Sequence, residues 1–159
     1  MRNLQILGAT RPACVGARRG LAYYRAAYSR WRIQMGQEGI RPVVREWASC
    51  PAVRRLAALW RSRAFRAQAA FKAWYGRTYE KWRCIHEHEG RWNDPDPPYW
   101  GGLQMTYAFQ QAHGPRWLAR WGTADHWPIW AQLLAAEDAW RRDGGSFREW
   151  GTAGRCGLA

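Results

Sequence analysis

A chain of 159 residues is long enough for one small domain with an appendage and too short for two large ones. Its charge is uneven: 16 of the 25 basic residues precede Glu80 with only two acids, whereas the rest of the chain is nearly neutral, so the first half is suited to a polyanion such as wall polymer, nucleic acid or anionic lipid. No stretch approaches the roughly 20 apolar residues of a bilayer span, and residues 4–9, between Arg2 and Arg11, are too few for the apolar core of a secretory signal.

In the basic region, residues 1–78, Leu21, Tyr24, Tyr28, Trp31, Ile33 and Met35 recur near a 3.6 period and predict an amphipathic helix over 20–36, broken by Gly36, Gly39 and Pro42. Ser49-Cys50-Pro51 then starts a second helix, because a proline at the first helical position gives up an N–H that would have no partner. Val53, Leu56, Trp60, Ala64, Ala67, Phe71 and Trp74 follow at steps of three and four, with Arg54, Arg55, Arg61, Arg63, Arg66 and Lys72 on the other faces, and Gly76 is the predicted end. The basic face reads as the solvated exterior of a helix packed on the second half, with a general electrostatic role. Nucleic acid is a conceivable partner on charge alone, since no helix-turn-helix, zinc-finger or RNA-binding motif accompanies it. Cys14 and Cys50 show no matching spacing and read as free, outside any site.

From residue 79 the character changes, and nine of the 13 tryptophans fall between Glu80 and the end, flat apolar faces on which sugar rings can stack. Trp82, Ile85, His86 and Glu89 share a helical face that ends at Gly90, read as a left-handed cap. Three prolines in residues 93–98 exclude helix. Two further helices are predicted, over 104–113, stopped by Gly114-Pro115, and over 130–142, stopped by Asp143-Gly144-Gly145, with Thr123 or Asp125 capping the approach to the second.

Glu89 is the residue whose position suggests chemistry. In the last turn of a helix the macrodipole disfavours a further negative charge, and Trp92 and Trp100 are near enough in sequence to dry the carboxyl. Both effects favour a carboxylic acid that stays protonated and can donate to a glycosidic oxygen. Ten residues on, Gly101-Gly102 allows close backbone approach, Gln104 and Thr106 offer hydrogen bonds to sugar hydroxyls and N-acetyl groups, and Tyr99 or Trp100 offers a stacking face.

The segments Trp82-x-Cys84-Ile85-His86-x-x-Glu89-Gly90-x-Trp92 and Pro98-Tyr99-Trp100-Gly101-Gly102-Leu103-Gln104-Met105, with the closing Arg155-Cys156-Gly157-Leu158, resemble actinobacterial transglycosylase-like domains related to the resuscitation-promoting factors. The resemblance covers residues 79–159, and Ala22-Tyr23-Tyr24-Arg25 with Trp31-Arg32-x-x-Met35-Gly36 is similar to the leader of one branch of that family. It implies a mainly α chain, a compact α+β lysozyme-like domain preceded by basic amphipathic helices. It also implies cleavage of the bond between N-acetylmuramic acid and N-acetylglucosamine by the Glu before Gly90, with Trp92, Tyr99, Trp100, Gln104 and Thr106 on the substrate and a bridge between Cys84 and Cys156. Aligning on Trp92 instead would select Glu87, but only Glu89 shares a helical face with Ile85 and Trp82.

The expected reaction is that of a lytic transglycosylase, in which one Glu serves as acid and then base. A muramidase-type hydrolase needs a second carboxylate, for which Asp94 or Asp96 is available, and a catalytically inactive basic protein that binds wall polymer or nucleic acid is the non-enzymatic alternative. No cofactor or metal is expected, because His86 and His88 diverge by about 200° on a helix and the run is not His-Glu-x-x-His. The expected substrate lies outside the cell and no export signal is recognisable, so delivery is open: release by lysis or carriage in a virion, as for a phage-derived protein, and a mis-assigned start codon both account for it.

Overall fold

The computed structural model describes residues 12–40 and 49–158; Pro42, read as part of the break after the first helix, and residues 4–9 lie outside them. The protein is mainly helical, with a single two-stranded hairpin among the described residues. It divides into two compact units, one ending at Phe71 and the other beginning at Lys72. No helix among the described residues is long and apolar enough to cross a membrane.

In the first unit, α1 (Pro12–Gln34) begins earlier than the periodicity predicts and runs through Gly16 and Gly20, where a side chain would meet nothing. It ends where Gly36 adopts φ 74°, and the Gln37 N–H reaches back to the Arg32 carbonyl at 2.9 Å, a helix stop that glycine makes without steric cost. Leu21 and Ala27 of α1 are buried, as are Val53, Ala64 and Ala67 of α2 (Cys50–Glu89). Tyr28 meets Trp60 and Trp31 meets Phe71 at ring-centroid distances of 5.5 and 5.3 Å, while Cys14 and Cys50 form a disulfide at the other end. The order of these contacts makes α1 and this part of α2 parallel. Cys14 and Cys50 are therefore not free: the side-by-side helix starts, which spacing in sequence does not reveal, bring their Cα atoms to 5.4 Å.

α2 does not stop at Gly76. A mid-helix glycine costs about 1 kcal/mol, and the flanking Trp74, Tyr75 and Tyr79 pack against the core of the second unit, so tertiary contacts carry the helix on to Glu89. The second unit continues with β1 (Tyr99–Trp100) and β2 (Met105–Thr106), paired antiparallel, then α3 (Tyr107–His113), α4 (Pro115–Trp121) and α5 (Ile129–Arg142). Gly114-Pro115 ends α3 as predicted, but Pro115 also opens α4, the position in which proline is best tolerated. α5 is capped by neither Thr123 nor Asp125; Pro128 precedes it without a side-chain cap bond.

α5 is buried nearly all round, with Ala131, Leu133, Ala135 and Ala136 fully inside and Trp82 and Ile85 of α2 in the same core. Glu137 accepts from the Trp82 indole at 2.8 Å and from Lys81 at 2.7 Å, so the one acid on this buried face is satisfied. Gln132, also fully buried, makes bonds with both ends of its amide. Its Oε1 accepts from the Gly102 N–H at 2.9 Å, and its Nε2 donates to the Trp92 and Ala124 carbonyls at 2.8 Å each, with the Trp127 carbonyl at 3.2 Å.

Replacing Gln132 with leucine keeps the bulk and leaves these backbone groups without partners in a dry site. At about 1–3 kcal/mol for each orphaned group, Gln132→Leu is expected to destabilise the protein by about 3 kcal/mol or more in urea denaturation. A loss below about 1 kcal/mol would show that the backbone groups find other partners.

Candidate active-site cleft

Glu89 occupies the last position of α2, half-buried, with Trp82 and Ile85 on the same helix holding that end of α2 in the core. Gly90 takes φ 157°, an almost extended conformation and not a left-handed cap. A Cβ there would lie 2.7 Å from Asp94 Oδ2 and 3.0 Å from Gln104 Nε2, so the missing side chain lets the ends of these two side chains approach the backbone closely. The chain turns directly from the Glu89 helix into contact with the hairpin.

The hairpin turn, residues 101–104, is fixed from both sides. Gly102 receives His86 Nδ1 on its carbonyl at 3.1 Å, an interaction in which the imidazole must be the donor, and gives its N–H to Gln132. A Cβ on Gly102 would sit 2.7 Å from both His86 Nδ1 and the Trp92 ring. Gln104 itself adopts φ 49°, in a region that an L-residue occupies at a cost of about 1–2 kcal/mol. Its Nε2 donates to Asp94 Oδ2 and to the Gly101 carbonyl, at 3.2 Å each. The strained backbone and the two amide bonds together hold one side chain in one place, the kind of local strain that clusters at functional sites.

A cleft of about 360 Å³ is lined by Glu89, Tyr99, Gln104, Glu149, Trp150, Gly151, Thr152 and Arg155. Thr152 Oγ1 donates to Glu89 Oε1 at 2.6 Å. Trp150 is buried, gives its indole N–H to the Leu103 carbonyl at 2.9 Å and meets Trp82 edge-on, so the wall of the cleft is rooted in the core. Cys156, at the end of the 3-10 turn Gly151–Cys156, is disulfide-bonded to Cys84 of α2 with a Cα–Cα distance of 5.9 Å. That bridge closes a loop of 72 residues and contributes about 4 kcal/mol in the chain-entropy description.

Of the residues singled out in the sequence, the cleft brings together Glu89, Tyr99 and Gln104. Trp92, Trp100 and Thr106 do not line it. Trp92 stacks on His86 at 4.1 Å, and Trp100 follows Tyr99 on a strand, so it points to the opposite face and packs on the core. The Thr106 hydroxyl caps α3 by accepting from the Phe109 N–H at 3.1 Å. Glu87 is exposed and lies outside the cleft, as do Asp96 and Asp94, the latter holding Gln104 from behind.

Glu149, Thr152 and Arg155 were not legible as cleft residues in the sequence, where Arg155 enters only within the closing motif and Cys156 alone of this segment is given a role. The signal that could have found them is the bridge itself. With Cys84 tied to Cys156, residues just after the one and just before the other must be neighbours. Cys84, His88 and Cys156 also lie within 4.8 Å of one another, but the two sulfurs are bonded to each other and His88 Nδ1 donates to the Cys84 carbonyl at 2.8 Å.

No family model matches this chain, and no curated protein or solved structure does so either.

The positive φ of Gln104 separates its backbone strain from its side chain. Gln104→Ala keeps the strain and loses the amide, whereas Gln104→Gly loses both. The glycine variant is expected to be more stable than the alanine variant by about 1 kcal/mol in urea denaturation, and equal stability would mean that the turn relaxes.

Proposed function

We propose that the second unit is a lysozyme-like glycosidase that cleaves peptidoglycan glycan strands, with Glu89 as its acid. The observation that carries this reading is the convergence on one cleft of Glu89, Tyr99 and Gln104, from the segments that resemble the transglycosylase-like domains, with a hydroxyl bonded to one oxygen of the Glu89 carboxyl. Thr152 occupies Oε1 and so leaves Oε2 to carry the reacting proton. That proton passes to the glycosidic oxygen as the bond from muramoyl C1 breaks and the N-acetylglucosamine end leaves as an alcohol. The Glu89 carboxylate then takes the proton of the muramoyl 6-hydroxyl as O6 bonds to C1, which closes a 1,6-anhydro ring and restores the acid.

Glu149 gives a specific reason to hold hydrolysis as the second reading. It places another carboxylate in the cleft, where neither Asp94 nor Asp96 lies, and a hydrolase uses such a group to activate water or to attack C1. Mass spectrometry of products from purified peptidoglycan separates the two. Anhydromuramic ends that persist in Glu149→Gln indicate transglycosylation; reducing ends that vanish in that variant indicate hydrolysis. Glu89→Gln is expected to lower product release by about 10² to 10⁴-fold with unchanged circular dichroism. Undiminished release would remove Glu89 from the reaction.

The first unit supports a wall-associated role by charge. Arg54, Arg55, Arg61, Arg63 and Arg66 are exposed on α2, and a groove of about 500 Å³ beside them is walled by Tyr24 and Phe65, with the Arg61 guanidinium 5.6 Å from the Phe65 ring. We infer that this unit holds anionic wall polymer. Its affinity for such polymer is expected to fall by at least tenfold between roughly 50 and 200 mM salt, as counterion release requires when several charges are neutralised. Binding that ignores salt would exclude the charge mechanism.

A further inference from the structure

The Glu89 cleft contains one cation, and that cation is uncommitted. Most basic residues of the second unit's folded core are already engaged: Lys81 pairs with Glu137, Arg142 with Asp138, Arg148 with Asp143, and Arg116 and Arg120 lie over indole rings. Arg155 lines the cleft, is exposed, and has no ion pair, hydrogen bond or aromatic partner among the described residues. Glu149, in the same cleft, is not within ion-pair distance of it.

Its position is nevertheless well determined. Arg155 belongs to the 3-10 turn whose Thr152 is bonded to Glu89 and whose Cys156 is bridged to Cys84, and Ala153 of that turn is buried. The turn is thus pinned to the Glu89 helix at two points on either side of the arginine's backbone. A guanidinium on a fixed base, with its donors unused, beside the acid that protonates the glycosidic oxygen, is a site for a planar anion on the same sugar.

We propose that Arg155 makes this cleft a carboxylate-reading site, and that its preferred substrate is a glycan strand whose muramoyl residues carry a free lactyl carboxylate. The inference rests on the glycosidase reading of the cleft. In a peptide-bearing strand the lactyl carbonyl is an amide and has no charge; once the peptide is removed, the same position is an anion attached to the sugar whose C1 reacts. The reaction that supplies this substrate is therefore an amidase cleavage between the muramoyl lactyl group and the stem peptide. The other carboxylate available near that sugar is the α-carboxylate of an isoglutamate in the stem, which amidation to isoglutamine removes.

The experiment compares three substrates: strands stripped of peptide, peptide-bearing strands with isoglutamate, and peptide-bearing strands with isoglutamine. Each is offered to the full-length wild type, Arg155→Gln and Arg155→Lys. The wild type is expected to cleave stripped strands with kcat/KM about 10- to 100-fold higher than either peptide-bearing form, the range a charge-assisted hydrogen bond supplies. Arg155→Gln should lose that ratio, and Arg155→Lys should keep part of it. A wild type with no preference, a preference undisturbed by Arg155→Gln, or a preference for isoglutamate strands over stripped ones overturns the proposal. Calorimetric binding of the same strands to Glu89→Gln protein reads the subsite without turnover. Arg155-dependent binding of stripped strands in that assay, with a wild type that cleaves none of the three substrates, would uphold the subsite and refute the glycosidase reading. No difference between strands in that assay would refute the subsite alone.

Discussion

The buried amide of Gln132 fixes three segments of the second unit that share no other secondary structure. A hydrophobic core can hold helices against one another, but irregular segments bring backbone N–H and C=O groups inside, and each needs a partner. Gln132 supplies those partners from the middle of the central helix: an acceptor for Gly102 in the hairpin turn, and donors for Trp92 in the loop before it and for Ala124 and Trp127 in the approach to α5. Gly101 and Gly102 are small because the amide on one side and the His86 and Trp92 rings on the other leave no room for a Cβ. The hairpin that presents Tyr99 and Gln104 is therefore set by an interaction on the far side of the turn from the cleft.

The opposite wall is built by different means. The C-terminal segment has no long helix to hold it, and it is secured by the Trp150 indole in the core, by the bond of Thr152 to Glu89 and by the bridge of Cys156 to Cys84. Covalent closure here replaces packing area. It also puts the wall and the Glu89 helix under one constraint, so that reduction of the bridge would loosen the acid's surroundings together with the turn that carries Arg155.

Much of this was legible in the sequence where a local rule decides the outcome. The apolar spacing of α5 and its Asp143-Gly144-Gly145 stop are visible because burial and turn chemistry agree, and Gly36 ends α1 as a left-handed residue should. The convergence of Glu89 with Tyr99 and Gln104 was foreshadowed by motif. What could not be read was set by tertiary context: Gly76 inside a continuous helix, Pro115 starting a new one, and Cys14 beside Cys50 through parallel helices. Trp100 and Thr106 show a finer limit. Their residue types suit sugar contact, but strand alternation turns the one inward and helix capping occupies the other. Glu149 and Arg155 take their places in the cleft only when the bridge is drawn.

Gln104 shows how a fixed side chain also fixes a polarity. An amide can in principle present either its oxygen or its nitrogen, and a free glutamine would offer whichever a visitor required. Here a carboxylate and a carbonyl, neither of which can donate, claim both nitrogen-bound hydrogens. The end of the side chain left over is an oxygen, and it can only accept. The side chain therefore has a built-in sense of direction: its free end can accept from a molecule that brings an N–H or O–H and has nothing to offer a bare carbonyl.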